Sequence, residues 1–466
     1  MKINNSHFEN RNTQTIFDMS KIIKLKKGLD IKLIGEATKN TDLSVQVSNF
    51  AIKPDDFPFV IPKLHVKEGD KVKSGTPLFI DKNNPEVAFV SPASGEILEI
   101  KRGDKRKILE IIVKSDNLNE SEVCDNTQLL QSDKNTMIST LQKAGLWPLL
   151  RQRPYGTIAN GSSTPKAVFI STFDTAPLAP DYEYILKEEL DVFQAGIDVL
   201  AILAPTVHVN IGNKHESSIF RNVKNVQINQ FSGPHPAGNV GVQIHHINPI
   251  NKGEIIWFIN PSDVVILGRF AKKGIIDFTK TIAITGSEVK NPRYVKIKIG
   301  ANISGLTELN NATTKVRHIS GNVLTGIKIS SDGYLSFYHN QLTVIPEGDT
   351  YEFFGWLTLG LKKFSTSRSY FSWLNPKRQY KLDTNIHGEH RAFVVSGQFE
   401  QVLPMDIYPL QLLKSIIAED IEQMENLGIY EITEEDFALC EFVDTSKNDI
   451  QEIVRKGIEL MVKEMN

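Results

Sequence analysis

The sequence is poor in cysteine: Cys124 and Cys440 are the two cysteines of its 466 residues, and neither has a Cys or His neighbour at ligand spacing. An iron–sulfur cluster, a zinc ribbon and a disulfide scaffold all need paired or closely spaced ligands, so this spacing argues against all three. No apolar run reaches the ~18–20 residues that span a bilayer, and the start of the chain has no apolar signal-peptide core. We therefore expect a soluble chain in a reducing, cytoplasmic compartment.

The sequence also lacks an excess of either charge, because Lys plus Arg total 53 and Asp plus Glu total 55. A protein that binds nucleic acid through its phosphates needs a concentrated basic surface, so we expect no nucleic-acid partner. The short motifs of nucleotide and hydrolase chemistry are missing as well: no GxxxxGK[ST], HExxH, GxSxG or EF-hand pattern occurs. These absences predict that the chain does not carry out nucleotide chemistry by itself.

The length suits about three domains, since a domain usually has ~100–200 residues. Residues 1–23 are polar and unpatterned, and they are predicted to be a disordered extension. Residues 24–115 show short strands separated by turns, and they resemble the barrel-sandwich hybrid of lipoyl and biotinyl carriers. Those carriers hold a modified lysine at a hairpin tip. Lys82 is instead predicted to be unmodified, because Asn83 and Asn84 follow it where a carrier continues as a strand.

The rest of the chain divides by pattern into an α/β domain over residues 116–280, a small β-rich module over 281–350 and a helical domain over 351–466. In the α/β domain, apolar strands such as KAVFIST, TVHVNIG and NVQINQF alternate with helical segments. That alternation is typical of a largely parallel sheet covered by helices. The predicted fold class is therefore α/β and multidomain.

One stretch, SGPHPAGNVGVQIHHINP at 232–249, follows the carboxyl end of a predicted strand, which is where ligands bind in open α/β sheets. Its glycines lack GxGxxG spacing, and Pro234 and Pro236 remove two amide donors, so a phosphate site is not indicated. His235, His245 and His246 raise the question of a metal site. The last two lie next to each other on a predicted strand, so they would point to opposite faces. A shaped binding loop and a rigid structural connector both remain open.

Eight segments in order carry a family resemblance: KIIKLKKGLDI, VKEGDKVKSGTPLF, SPASGEILEIKRGDKR, GLWPLLRQRPY, SGPHPAG with IHHINP, VKNPR, HGEHRAFVVSGQFEQVLPMDI and EEDFALCEF. Together they resemble the NqrA family, a peripheral component of the sodium-translocating NADH:quinone oxidoreductase, from Lys24 to the C-terminus. The segment DTSKND at 444–449 departs from that pattern, because other members tend to have a cysteine and aromatic residues there.

The resemblance implies a peripheral subunit on the cytoplasmic face of the bacterial inner membrane, in a pump that oxidises NADH, reduces ubiquinone or menaquinone and exports Na⁺. It implies the other subunits of the pump as partners, especially the membrane-embedded NqrB, with membrane contact made through them. It also implies a central domain related to the flavin subunit of the proton-pumping NADH dehydrogenase, and a β-grasp-like module over 281–350. NADH, flavins and iron–sulfur centres belong to the complex. This chain is expected to bind none of them tightly and no metal, and to be inactive alone.

Two roles within such a complex are compatible with the sequence. In the first, the chain contributes to the quinone side, with a histidine donating a hydrogen bond to a quinone carbonyl. In the second, it is a purely structural docking subunit with no ligand of its own. The residues predicted to lie near a quinone head group or a subunit contact are Gly233, His235, Gly238, His245 and His246.

Overall fold

The structure, a computed structural model, describes residues 21–43, 45–123, 129–213, 217–311, 315–348 and 352–465. Most of the extension predicted over 1–23 lies outside these ranges, and so does Cys124. The end of that prediction is wrong: Ile22 and Ile23 belong to a strand that pairs with Gln230 and Phe231. Ile22 remains 64% exposed there, so the strand is held mainly by backbone pairing along the sheet edge.

The described residues form twenty strands. In chain order they are β1 Ile22–Lys24, β2 Thr38–Asp42, β3 Asn49–Ile52, β4 Pro62–Leu64, β5 Lys71–Val72, β6 Pro77–Asp81, β7 Ala88–Val90, β8 Gly95–Arg102, β9 Ile108–Ser115, β10 Arg151–Arg153, β11 Thr157–Ile158, β12 Val168–Ser171, β13 Val207–Ile211, β14 Gln227–Ser232, β15 Ile256–Phe258, β16 Thr279–Thr285, β17 Arg293–Lys298, β18 Val316–Ser320, β19 Ile327–Ile329 and β20 Gln341–Pro346.

The same residues form ten α-helices. In chain order they are α1 Lys134–Lys143, α2 Tyr182–Leu186, α3 Leu190–Leu203, α4 Val240–Ile247, α5 Pro261–Lys273, α6 Phe399–Val402, α7 Pro409–Ile417, α8 Ile421–Asn426, α9 Ala438–Val443 and α10 Ile450–Met465.

The N-terminal domain consists of two small antiparallel sheets, with strand orders β3-β9-β8-β5 and β4-β6-β7. Three phenylalanines fill the space between its strands: the ring centroid of Phe89 lies 4.5 Å from that of Phe57 and 4.4 Å from that of Phe79. Phe57 also lies against Phe337, with the ring centroids 4.9 Å apart. The aromatic core of this domain therefore continues into the β-rich module.

The central domain contains a seven-stranded sheet in the order β1-β14-β13-β12-β15-β10-β11, and its first five strands run parallel. The predicted parallel sheet is thus confirmed. Side chains on β12 alternate between two cores: Val168 and Ile170 pack with residues of α3 and α5, and Phe169 packs with α4 and the C-terminal helices. Burial on both faces explains why these strands are almost continuously apolar.

The β-rich module is a six-stranded sheet in the order β19-β18-β20-β16-β17-β2. Its edge strand β2 comes from the start of the chain and runs parallel to β17. Strands β1 and β2 therefore pair with sheets of two other domains, and the sandwich itself begins only at β3. The helices of the domain predicted over 351–466 begin at Phe399, and the preceding residues 352–398 contain two short 3-10 helices.

The C-terminal helices pack around a core that includes Cys440, which is fully buried. Burial raises the pKa of the Cys440 thiol well above its usual range, so the thiol stays protonated and unreactive. Cys440 therefore acts as a small apolar core residue.

A buried ion pair joins the central domain to the β-rich module. The Lys280 Nζ atom at the start of β16 lies 2.5 Å from Asp263 Oδ1 on α5, and the two side chains are 2% and 1% exposed. Lys280 also donates a hydrogen bond to the carbonyl of Phe337 at 3.3 Å. Because neither charge is solvated, each is stabilised mainly by the other, and removal of one leaves the other buried and uncompensated.

We expect Lys280→Met to lower the free energy of unfolding by about 3–5 kcal/mol, because it leaves the Asp263 carboxylate buried without a cation. The matched control is Lys290→Met, which breaks an ion pair with Glu308 whose side chains are 54% and 61% exposed, and should cost below ~1 kcal/mol. Urea unfolding followed by tryptophan fluorescence measures both. Adding Asp263→Asn to Lys280→Met should restore part of the loss, and equal losses for the two lysine variants would contradict the assignment.

Candidate functional site

The loop at residues 233–239 connects β14 to α4 at the carboxyl end of the parallel strands, where the sequence predicted a shaped segment. Two of its glycines are required by close contacts. Gly233 has a φ of +142°, and a Cβ atom there would lie 2.6 Å from the carbonyl oxygen of Leu25. A Cβ atom on Gly238 would lie 2.7 Å from the backbone nitrogen of Thr175. These glycines let neighbouring backbones approach the loop closely.

His235 is the one histidine of the stretch that lies in this loop, and its side chain is buried, with 4% exposed. The Thr175 hydroxyl accepts a hydrogen bond from the Gly238 amide at 2.9 Å, and its oxygen lies 3.0 Å from His235 Nδ1, so this side chain links the ring to the loop backbone. When Nδ1 accepts the hydrogen of the Thr175 hydroxyl, the ring proton is on Nε2, which is then a donor. Burial lowers the pKa of His235 to about 4, so the ring is neutral near pH 7.

The backbone of His235 is also fixed, by two hydrogen bonds. Its amide donates to Asp30 Oδ1 at 2.9 Å, and its carbonyl accepts from the Leu29 amide at 2.8 Å. The segment near the start of the chain therefore closes over the loop.

The prediction that His245 and His246 lie on a strand is wrong, because both are in the last turn of α4. Asn239 has the extended backbone of an N-cap residue, and Val240 and Ile244 are spaced one helical turn apart. The short apolar run of the sequence fits a strand and a buried helix equally well, and the helix forms because the tertiary core covers its face.

The two histidines fasten α4 to the C-terminal domain. His245 Nε2 accepts from the Asp406 amide at 3.0 Å, so Nδ1 carries the proton and donates to Glu431 Oε2 at 2.8 Å. His246 Nε2 donates to the carbonyl of Pro404 at 2.9 Å. The structure thus separates the roles of the three histidines. Within the described ranges, no three His, Cys, Asp or Glu side chains come together as a metal site.

A buried chain of hydrogen bonds, which the sequence did not reveal, positions the same loop. Asn229 on β14 donates to Asn210 on β13 at 3.0 Å, and Asn210 donates to Gln243 on α4 at 2.8 Å. Gln243 then donates to the Ser171 hydroxyl at 2.8 Å and to the carbonyl of Ala237 at 3.1 Å. Asn210 and Gln243 each accept one hydrogen bond and donate the next, so the bonds polarise and strengthen one another. The loop is therefore tied directly to the sheet.

The other end of this chain reaches a cavity of about 250 Å³ at the opposite, amino-terminal edge of the sheet. Asn229 Nδ2 lies 3.3 Å from His208 Nδ1, and both residues line the cavity. The other polar side chains of its wall are Lys21, Lys166, Thr206, Gln227 and Asn248. Lys166 is neutralised by Glu254, whose carboxylate lies 2.8 Å from its Nζ atom.

On its other side, α4 rests on a buried ion pair. Arg153 Nη1 lies 2.5 Å from Asp436 Oδ2 and donates to the carbonyl of Glu431 at 2.9 Å. Asp436 also closes a capping box with Thr433. A Cβ atom on Gly241 would lie 2.4 Å from both Arg153 Nη2 and Asp436 Oδ1, so glycine lets the helix sit on this pair.

We expect Gln243→Leu to lower the free energy of unfolding by about 3 kcal/mol, because it leaves the Asn210 amide and the Ala237 carbonyl buried without partners. The loop at 233–239 should also exchange its amide hydrogens faster, as measured by hydrogen–deuterium exchange. The matched control is Gln411→Leu on the exposed face of α7, which should change stability by less than ~0.5 kcal/mol. Unchanged exchange in Gln243→Leu would show that the chain does not hold the loop.

Three family models match the chain in order. They are the NqrA N-terminal barrel-sandwich hybrid domain over residues 23–116, the NqrA second alpha/beta domain over 132–276 and the NQRA C-terminal domain, an SLBB model, over 281–331. The barrel-sandwich and α/β assignments made from the sequence are therefore confirmed.

Full-length relatives that carry the name of the NqrA component of Na(+)-translocating NADH-quinone reductase are also similar. Those from Vibrio atlanticus and Haemophilus influenzae are 35% and 36% identical, and each match covers 95% of this chain and 100% of the relative. The relative from Rhodopirellula baltica is 34% identical, with 95% and 98% covered.

Among solved structures, an NAD⁺-reducing [NiFe]-hydrogenase in the air-oxidised state aligns with a TM-score of 0.34 and 11% identity, over 73% of this chain and 61% of that one. A likeness this weak carries no argument about function. The relatives match nearly the whole chain, and the family models match most of residues 23–331. This chain therefore belongs to the NqrA family and is the NqrA component of a Na⁺-translocating NADH-quinone reductase.

Proposed function

We propose that this subunit contributes to the quinone side of the sodium pump, with His235 as the residue that hydrogen-bonds a quinone carbonyl. The observation that carries the proposal is the contact of His235 Nδ1 with the Thr175 hydroxyl: in the tautomer in which Nδ1 accepts, the neutral ring offers its Nε2–H as a donor. A neutral donor suits a quinone oxygen, because it stabilises the developing negative charge without requiring a buried cation.

The other predicted site residues support this arrangement by position. Gly233 and Gly238 allow the backbone contacts that shape the loop. His245 and His246 hold α4, and with it the loop, against the C-terminal helices. We assign these four residues a positioning role and assign direct contact with the quinone to His235.

The wider setting follows from the family. We propose that the subunit is peripheral, lies on the cytoplasmic face of the bacterial inner membrane and assembles with the other subunits, especially the membrane-embedded NqrB. NADH oxidation, the flavins and the iron–sulfur centres then belong to those partners, and the isolated chain is inactive. Quinone, either ubiquinone or menaquinone, is the ligand that this chain contacts.

We further propose common ancestry with the flavin subunit of the proton-pumping NADH dehydrogenase, with a β-grasp-like C-terminal module. The strand order β17-β16-β20-β18-β19 supports the β-grasp-like module. The hairpin β16–β17 places β16 beside β20, which runs parallel to it, and β18 pairs antiparallel with the other side of β20, as in a β-grasp sheet.

A test uses the assembled complex. We expect His235→Leu to lower the rate of NADH-driven quinone reduction roughly fivefold to tenfold, the effect of one lost hydrogen bond of about 1 kcal/mol. His235→Gln, whose side-chain NH₂ can replace the Nε2–H donor, should recover most of the rate. NADH oxidation with ferricyanide as an artificial acceptor should be unchanged in both variants.

The pH dependence sharpens this prediction. Because the pKa of His235 is about 4, the ring stays neutral above pH 6, and the ratio of the variant rate to the wild-type rate should be constant from about pH 6 to 8. A ratio that changes over this range would contradict a neutral donor.

The alternative is a purely structural docking subunit. The tight enclosure of the loop favours it, because a Cβ atom on Gly28 would already lie 2.2 Å from the His235 carbonyl oxygen. In that case His235→Leu reduces the yield of assembled complex, and the complex that does assemble reduces quinone at the wild-type rate. Copurification of the subunits, measured beside the rate, distinguishes the two functions.

A further inference from the structure

The stretch of chain between the β-rich module and the C-terminal helices exposes many more large apolar side chains than the rest of the surface. We call residues 353–382 the aromatic segment. Nine of its large apolar side chains are between 47% and 89% exposed: Phe353, Phe354, Trp356, Leu357, Leu359, Leu361, Phe371, Trp373 and Leu374. The ring of Phe354 lies next to those of Phe353 and Trp356, with centroids 4.4 Å and 5.9 Å apart, and an exposed apolar cluster of this kind marks a surface that another molecule covers.

The aromatic segment is also cationic in a chain that is otherwise almost neutral. It contains six Lys and Arg residues and no Asp or Glu, whereas the whole chain has a net charge of −2. Lys363 pairs with Glu352 and Lys381 with Glu288. Within the part of the chain that the structure describes, the other four, Lys362, Arg368, Lys377 and Arg378, form no ion pair with an acidic side chain.

The segment is anchored to the folded protein at two points. The ring of Phe364 packs 5.3 Å from Tyr380 and 5.7 Å from Phe442 of α9. The backbone of Tyr380 exchanges hydrogen bonds with Lys32 and Ile34, at 2.7 Å and 3.0 Å. The exposed aromatic side chains therefore project from a fixed base.

We propose that the aromatic segment lies directly on an anionic phospholipid surface. Trp, Phe and Leu side chains partition into the headgroup and upper acyl region of a bilayer, and neighbouring Lys and Arg side chains pair with anionic headgroups. The segment combines both features over thirty residues. This differs from the expectation that the chain meets the membrane only through its partners.

The positive charge of the aromatic segment favours an anionic lipid surface over a second copy of this chain or a loop of a membrane protein. A second copy of this chain would bring the same cationic surface against itself, and like charges repel. The cytoplasmic loops of membrane proteins are also enriched in Lys and Arg. An anionic headgroup layer has the complementary charge. In the described residues no helix is long and apolar enough to cross a membrane.

The four tryptophans provide the assay in the unmodified full-length chain. Trp147 and Trp257 are fully buried, and Trp356 and Trp373 are 70% and 47% exposed. With vesicles containing phosphatidylglycerol, we expect a blue shift of the emission and protection from acrylamide quenching, both from the two exposed indoles. Vesicles of phosphatidylcholine alone should give a much smaller change, and high salt should reverse the binding, since screening weakens the headgroup contacts.

Variants then locate the contact. Trp356→Ser combined with Trp373→Ser should remove the blue shift, and Lys362→Glu combined with Lys377→Glu should weaken vesicle flotation by roughly tenfold or more. The matched controls are Leu118→Ser, an exposed apolar residue of another domain, and Lys105→Glu combined with Arg106→Glu at an exposed hairpin. Neither control should alter flotation.

Two results would overturn the proposal. One is wild-type protein that does not float with phosphatidylglycerol vesicles. The other is flotation that the segment variants and the controls change equally. If vesicles fail while a purified membrane subunit in detergent protects Trp356 and Trp373, the occupant is a protein. The His235 variants leave this surface intact, so failure here is distinguishable from failure of the quinone proposal.

Discussion

The structure depends on a requirement at helix α4: this helix is enclosed on both sides, so each of its buried polar groups needs a partner inside the protein. Towards the sheet, Gln243 links Asn210 to Ser171 and to the loop carbonyl of Ala237. Away from the sheet, the helix rests on Arg153 and its partner. Because an unpaired buried polar group costs about 1–3 kcal/mol, these bonds fix the helix in one position. The loop that precedes α4, with His235 in it, is thereby held in place as well.

The sequence predicted the features that depend on local pattern. The alternation of strands and helices indicated a parallel sheet, and the position of the Pro/Gly/His stretch after a strand indicated a loop at the carboxyl edge of that sheet, where the structure has it. Prediction from the sequence failed where one local pattern fits two structures. The apolar run before His245 and His246 fits a strand or a helix, and only the C-terminal domain that covers it selects the helix.

Other parts of the site were beyond sequence reasoning for a different reason. The hydrogen bonds from Asn229 to Asn210 to Gln243 join residues that are 19 and 33 positions apart, and they exist only in one strand register. The hydrogen bond between the His235 ring and Thr175 likewise joins residues that are 60 positions apart. A single sequence shows that such side chains are polar, but it does not show which of them meet.

The first strands of the chain have a consequence for its synthesis. Strand β1 pairs with β14, and β2 pairs with β17, so residues made first by the ribosome wait for partners that follow roughly 210–255 residues later. The seven-stranded sheet cannot be completed before β15 has left the exit tunnel, nor the six-stranded sheet before β20, and until then their open edges are available to other chains. Translation speed and early chaperone binding therefore bear on the yield of this subunit more than on that of a protein whose domains close one after another.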